Sequence, residues 1–146
     1  MVIMSKKTLV RAYLNTRYSV YFAGETYIVK VSEPPVKGMS ALLEKNDIHY
    51  GAILTAWNPR SHKTTAVENK KQNDALSRYL IKNNFIYYDA LGEGQDSSWP
   101  AEESFFIIGI SKEKAESLAL EYKQNAYIWL QQNKPVELVF TAIWND

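Results

Sequence analysis

The sequence predicts an α+β fold, a single domain in which a largely antiparallel or mixed sheet packs against three to four helices. Three observations predict it. Aromatic and β-branched runs occur in adjacent pairs with the short connections that hairpins require. Other segments carry capped, amphipathic helix patterns. Strands and helices are mixed without the strict alternation that builds a doubly wound parallel sheet. No internal repeat, low-complexity tract or linker interrupts residues 1–146, so they read as one domain.

The elements follow in order. Lys6 to Asn15 places Leu9, Tyr13 and Leu14 on a face that a short helix could bury. Tyr18 to Phe22 and Tyr27 to Val31 flank Ala23-Gly24-Glu25, where Gly24 supplies the positive φ of a tight turn, which predicts a hairpin. Glu33-Pro34-Pro35 stops the second strand, because proline has no N–H for a ladder. Ser40 to Asn46 predicts a short helix, and Gly51 to Trp57, apolar and too short for a helix, predicts a central strand. After the loop Asn58 to Lys63, Thr65 and Glu68 have capping-box spacing and open a helix that runs to about Asn83. Phe85 to Tyr88 reads as a strand, Leu91 to Pro100 as a loop and Ser104 to Ile110 as a buried strand. Ser111 caps a helix with Ala115, Leu118, Ala119 and Tyr122 on one face. Tyr127 to Leu130 and Val136 to Thr141 then form a second hairpin.

Composition excludes several chemistries. With no cysteine there are no disulfides, cysteine-bound zinc sites, iron–sulfur clusters or thiol nucleophiles, and the cytoplasm is the expected compartment. The longest apolar run, Phe105 to Ile110, and the short apolar start before Lys6 are too short to span a membrane. A formal charge of +1 gives no general pull toward nucleic acid. Locally the chain is polarised: Arg60 to Lys82 carries +4, and Asp89 to Glu103 carries five acids and no base. A solvated face accounts for each. The acidic segment lacks the alternating oxygens of a calcium loop, so no metal is expected. No nucleophile elbow, Walker loop or dinucleotide fingerprint occurs, and no motif implies a cofactor.

The polar groups that break pattern point to one place. On the Thr65 helix, Asn69, Asn73, Leu76 and Leu80 share a face, which puts two carboxamides where aliphatic side chains belong. A buried amide without partners costs roughly 1–3 kcal/mol, so something polar must face them. The backbone of the Asn58 loop is one answer. The other is a pocket lined with Asn58 and Ser61 where strand gives way to helix, the free N–H groups of the helix start being open to an anion or carbonyl. Glu102 or Glu103 must point inward at the start of the next strand. If it is Glu102, it shares a face with Ser104 and approaches the asparagines as a partly buried carboxylate.

These residues also carry a resemblance. Thr55-Ala56-Trp57-Asn58-Pro59, Ser61, Asn69, Leu76, Trp99, Glu102-x-Ser104-Phe105 and Gln124-x-Ala126-x-x-Trp129 resemble the bacterial DUF3293 family from about Tyr13 to Val139. The family signature maps onto Asn58, Asn69, Glu102, Ser104, Gln124 and Trp129. Glu103 departs from a pattern that often has proline there, which leaves open which glutamate faces inward. The resemblance implies no reaction, because members of the family are domains of unknown function.

The expectation is a site for a polar or anionic small molecule built from Asn58, Ser61, Asn69, Asn73, Ser104 and Gln124. Glu102 is the candidate general acid or base if the site is hydrolytic. The alternative is a non-enzymatic interaction domain in which the same residues form a structural hydrogen-bond network.

Overall fold

The computed structural model describes residues 5–95 and 100–142. Trp99, singled out above, Asp96 of the acidic segment and the chain start at Met1–Met4 lie outside the described residues. Seven strands, β1 (Arg17–Phe22), β2 (Glu25–Val29), β3 (Tyr50–Leu54), β4 (Ile86–Glu93), β5 (Glu102–Ile108), β6 (Ala126–Gln131) and β7 (Glu137–Phe140), form one sheet in the order β2-β1-β4-β5-β3-β6-β7. Every pairing in it is antiparallel. The helices are α1 (Lys6–Leu14), α2 (Lys37–Lys45), α3 (Ala66–Lys82) and α4 (Lys112–Glu121), with a single 3-10 turn at Pro59–Ser61. The predicted α+β class is the observed one. No helix among the described residues is long and apolar enough to cross a membrane.

Side chains that alternate along the strands are divided between two cores. On one face Met39, Leu42 and Leu43 of α2 pack on Val20, Ile53, Phe106 and Ile128. On the other, Leu76 and Leu80 of α3 with Leu118 of α4 pack on Ala52, Leu54, Phe105 and Ile107. The sheet is therefore covered on both sides, which explains why β5 and β6 read as continuous apolar runs. Thr65 caps α3 by accepting from the Glu68 N–H, and Ser111 caps α4 by accepting from the Lys114 N–H. In the first hairpin both Ala23 (φ 51°) and Gly24 (φ 79°) are left-handed, so that Phe22 faces Glu25 across a two-residue turn.

Several boundaries differ from expectation, among them β2, which spans Glu25–Val29 and not Tyr27 to Val31, and β5, which ends at Ile108. β4 continues through Leu91-Gly92-Glu93, assigned above to a loop, because these residues pair with β1 on one side and β5 on the other. β5 accordingly starts at Glu102, two residues before the expected Ser104. α2 starts at Lys37, not Ser40, since the carbonyl of Val36 accepts from the Met39 and Ser40 N–H groups. β3 stops at Leu54 instead of Trp57, because side chains take over from the ladder there, as described below.

Gly51 sits where β3 crosses β5, and a Cβ on it would lie 2.7 Å from the Ile107 carbonyl oxygen and 2.9 Å from the Phe106 ring. Gly51→Ala is expected to cost about 1–3 kcal/mol, as overpacking against backbone does. Urea unfolding would show this as a lower midpoint with an unchanged slope.

Candidate functional site

Beyond Leu54 the chain leaves the sheet, and its backbone groups must find partners without a neighbouring strand. The two asparagines of α3 provide them. Asn73 Oδ1 accepts from the Ala56 N–H at 2.8 Å, and its amino group donates to the Glu103 carbonyl at 2.7 Å. Asn69 Oδ1 accepts from the Asn58 N–H at 2.8 Å, and its amino group donates to Asn58 Oδ1 at 2.9 Å. Thr55 adds a hydroxyl that donates to the Glu103 carbonyl and accepts from the Trp57 N–H. Through these bonds the end of β3 is tied to α3 and to the start of β5.

The loop thus held is strained. Asn58, Arg60 and Ser61 all have positive φ (45°, 56° and 61°), a conformation Asn tolerates and Arg and Ser seldom adopt. Arg60 N–H donates to the Lys123 carbonyl at 2.7 Å, and the Asn125 amide donates to Ser61 Oγ at 3.1 Å, which fixes the loop against the α4–β6 connection.

The orientation of the Asn58 amide follows from its neighbours. Its Oδ1 accepts from Asn69 and, at 3.1 Å, from the Thr64 N–H. Its amino group must then face the other way, and it donates to Glu102 Oε2 at 3.1 Å. Glu102 is half-buried and Glu103 exposed, so the inward glutamate is Glu102, on the same side of β5 as Ser104. Asn58 is not the only interaction Glu102 makes.

These polar groups border a cavity of ≈390 Å³ on the α2 side of the sheet, beneath α1. Leu9, Ala12, Ile53, Ala126 and Ile128 supply an apolar wall, and Tyr13 and Tyr18 bring their phenols into it. Gly92 gives the Tyr18 ring its place, since a Cβ there would stand 3.1 Å from the ring. Burial raises the pKa of both phenols above the ordinary tyrosine value, and the negative charge of Glu102 adds to the shift. A hydrogen bond from Ser61 partly offsets it for Tyr13. Tyr127, whose side chain packs in the opposite core, is pushed up to about 12 by burial and by the charges of Glu116 and Glu137.

Of the residues expected at the site, Asn58, Ser61, Glu102, Ser104 and Gln124 line the cavity. Asn69 and Asn73 do not. They are buried behind its wall, 3% and 4% exposed, with each amide bonded to loop or strand. The start of α3, expected to offer N–H groups to a ligand, is also absent from the lining, and the Glu68 N–H is taken by Thr65. Trp129 lies on the opposite face, stacked on Tyr50 at 5.5 Å with its indole N–H buried and unpartnered. No group of three or more His, Asp or Glu that could hold a metal occurs among the described residues.

Residues 54–127 match DUF3293, described as a protein of unknown function. The chain belongs to the DUF3293 family. The matched span is narrower than the resemblance from Tyr13 to Val139, and it contains Asn58, Asn69, Glu102, Ser104 and Gln124 but not Trp129. No curated protein and no solved structure matches the chain.

Sequence reasoning missed Tyr13, Tyr18, Thr55 and Asn125 as parts of this family member's site. Tyr13 was on an apolar helix face and Tyr18 in an aromatic strand, where core packing is the ordinary role. Asn125 follows Gln124 between a helix and a strand, and that polar pair was the one available signal.

Asn73→Ala strands the Ala56 N–H, while the Glu103 carbonyl keeps the Thr55 hydroxyl, and the one unsatisfied buried group should cost about 1–3 kcal/mol, read by chemical denaturation. The phenols predict an alkaline limit. Their folded pKa values lie above the unfolded value of about 10, so the folded state holds protons that the unfolded state releases. Their contribution is complete below pH ~10 and is lost as pH rises through the folded values. Melting curves from pH 8 to 11 should fall more gently for Tyr18→Phe than for the wild type.

Proposed function

We propose that this domain binds a small molecule with an apolar body in the cavity beneath α1, its polar end held at Asn58, Ser61, Glu102, Ser104 and Gln124. One observation carries the reading: the domain leaves ≈390 Å³ unfilled on one face of its sheet, apolar along the wall and polar at one end. That volume falls within the roughly 300–1,000 Å³ typical of ligand pockets, and a few placed polar groups in an apolar wall is their usual composition. The strained Asn58–Ser61 backbone supports the same reading, because such conformations cluster at ligand-binding segments. If chemistry follows binding, Glu102 is the general acid or base, and the phenols of Tyr13 and Tyr18 lie close enough to feel its charge. For Asn69 and Asn73 the structural-network reading is the better supported, since both amides are spent on the protein's own backbone and on Asn58.

Ser104→Leu projects a larger apolar side chain into the cavity from its lining. A thermal-shift screen of metabolites should return ligands that stabilise the wild type, by about 2.7 kcal/mol at 100 times their Kd, and leave Ser104→Leu unmoved. Equal stabilisation of both proteins would place binding elsewhere and refute the proposal.

A further inference from the structure

We infer that the Tyr18 hydroxyl is a recognition point of the cavity in addition to its polar end, and that it selects ligands whose apolar body carries a hydrogen-bond acceptor, a carbonyl oxygen above all. This rests on the ligand-binding reading above and names a specificity-determining residue within that site. Tyr18 lines the cavity and is 7% exposed. Strand register brings it there: Tyr18 stands opposite Gly92 on β4, and Gly92 opposite Glu102 on β5. Residues on one rung of neighbouring strands share a face of the sheet. Tyr18 and Glu102 therefore border the cavity from β1 and β5 with no side chain between them, and the phenol ring takes the space that Gly92 leaves free.

Among the described residues the Tyr18 hydroxyl has no hydrogen-bond partner. Its neighbours in the lining differ. Tyr13 is bonded to Ser61, which also accepts from Asn125 at 3.1 Å. Thr16 donates to the Ala12 carbonyl at 2.7 Å, and Asn15 and Gln95 are exposed, where water serves them. Nor is the Tyr18 oxygen sealed in: among the described residues the enclosed, unpartnered side-chain polar atom is the Trp129 indole nitrogen, so the phenol opens on the cavity it lines. The group keeps its hydrogen, because burial raises its pKa and the charges of Tyr13 and Glu102 push the same way. Away from water an unmet donor is the costlier deficit, since an oxygen with two lone pairs tolerates under-use better. A carbonyl on the ligand meets that donor and brings neither a hydrogen that needs a partner of its own nor a charge to desolvate.

Two probes with the same carbon skeleton test the inference: 4-phenyl-2-butanone and butylbenzene. Each is titrated into the full chain and into Tyr18→Phe while the backbone amide NMR signals of Gly92 and Ser104 are followed. Loss of one hydrogen bond should weaken the ketone roughly threefold to tenfold in Tyr18→Phe. Butylbenzene should bind both proteins alike, which shows that the variant's cavity is intact. A ketone that binds Tyr18→Phe as tightly as the wild type, or that fails to bind the wild type while butylbenzene binds, overturns the Tyr18 inference alone. A loss shared equally by both probes overturns it as well, because it reports a changed cavity and not a missing hydrogen bond. Silence from both probes on the wild type overturns it together with the ligand-binding reading.

Discussion

The site depends on how the backbone leaves β3. A strand that ends inside a protein leaves N–H and C=O groups that water cannot reach and a ladder no longer serves. Here the α3 helix turns two carboxamides toward that break, and each amide bonds through both its oxygen and its nitrogen. Asn73 joins the end of β3 to the start of β5, and Asn69 secures Asn58 in its left-handed conformation. Leucines at these positions would pack as Leu76 and Leu80 do, but they would leave the loop backbone unpaired. The cavity's polar end is in this sense a by-product of satisfying the chain where the sheet gives out.

Much of the fold was legible because its signals are local. Thr65 with Glu68 and Ser111 with Ala115 marked two helix starts at the observed residues, since capping is decided within one turn. Ala23-Gly24 marked the first hairpin for the same reason. The boundaries that moved depend on distant partners. Leu91 to Glu93 looks like loop until β1 and β5 are laid beside it, and Trp57 looks like strand until Asn73 takes the Ala56 N–H.

The site was legible in part, through polar residues in apolar places. Asn69 and Asn73 announced themselves by sitting on a leucine face, and period two along β5 put Glu102 with Ser104. What a one-dimensional pattern cannot separate is a side chain that touches the cavity from one that holds the wall in place. Tyr13 shows the converse: on a helix its phenol counts as core, and its meeting with Ser61 and its nearness to Glu102 depend on how α1 crosses the sheet. The basic and acidic segments come near each other at one point on the surface. The pKa of Lys70 is raised chiefly by its hydrogen bond and ion pair with Asp74, and Glu103 of the acidic segment adds a smaller push in the same direction.

The cavity's walls come from Leu9 at one end of the chain and Ile128 near the other, with β1, β3, β5 and β6 between them. In the sheet β1 pairs with β4, β3 with β5 and β3 with β6, so half of the neighbouring pairs are far apart in sequence. Such long loops close at an entropic cost that is recovered only when the ladder is complete, which makes nonlocal antiparallel sheets slow to form. The recess, lined from α1, β1, β3, β5 and β6, is complete only when those three nonlocal pairings are all in place.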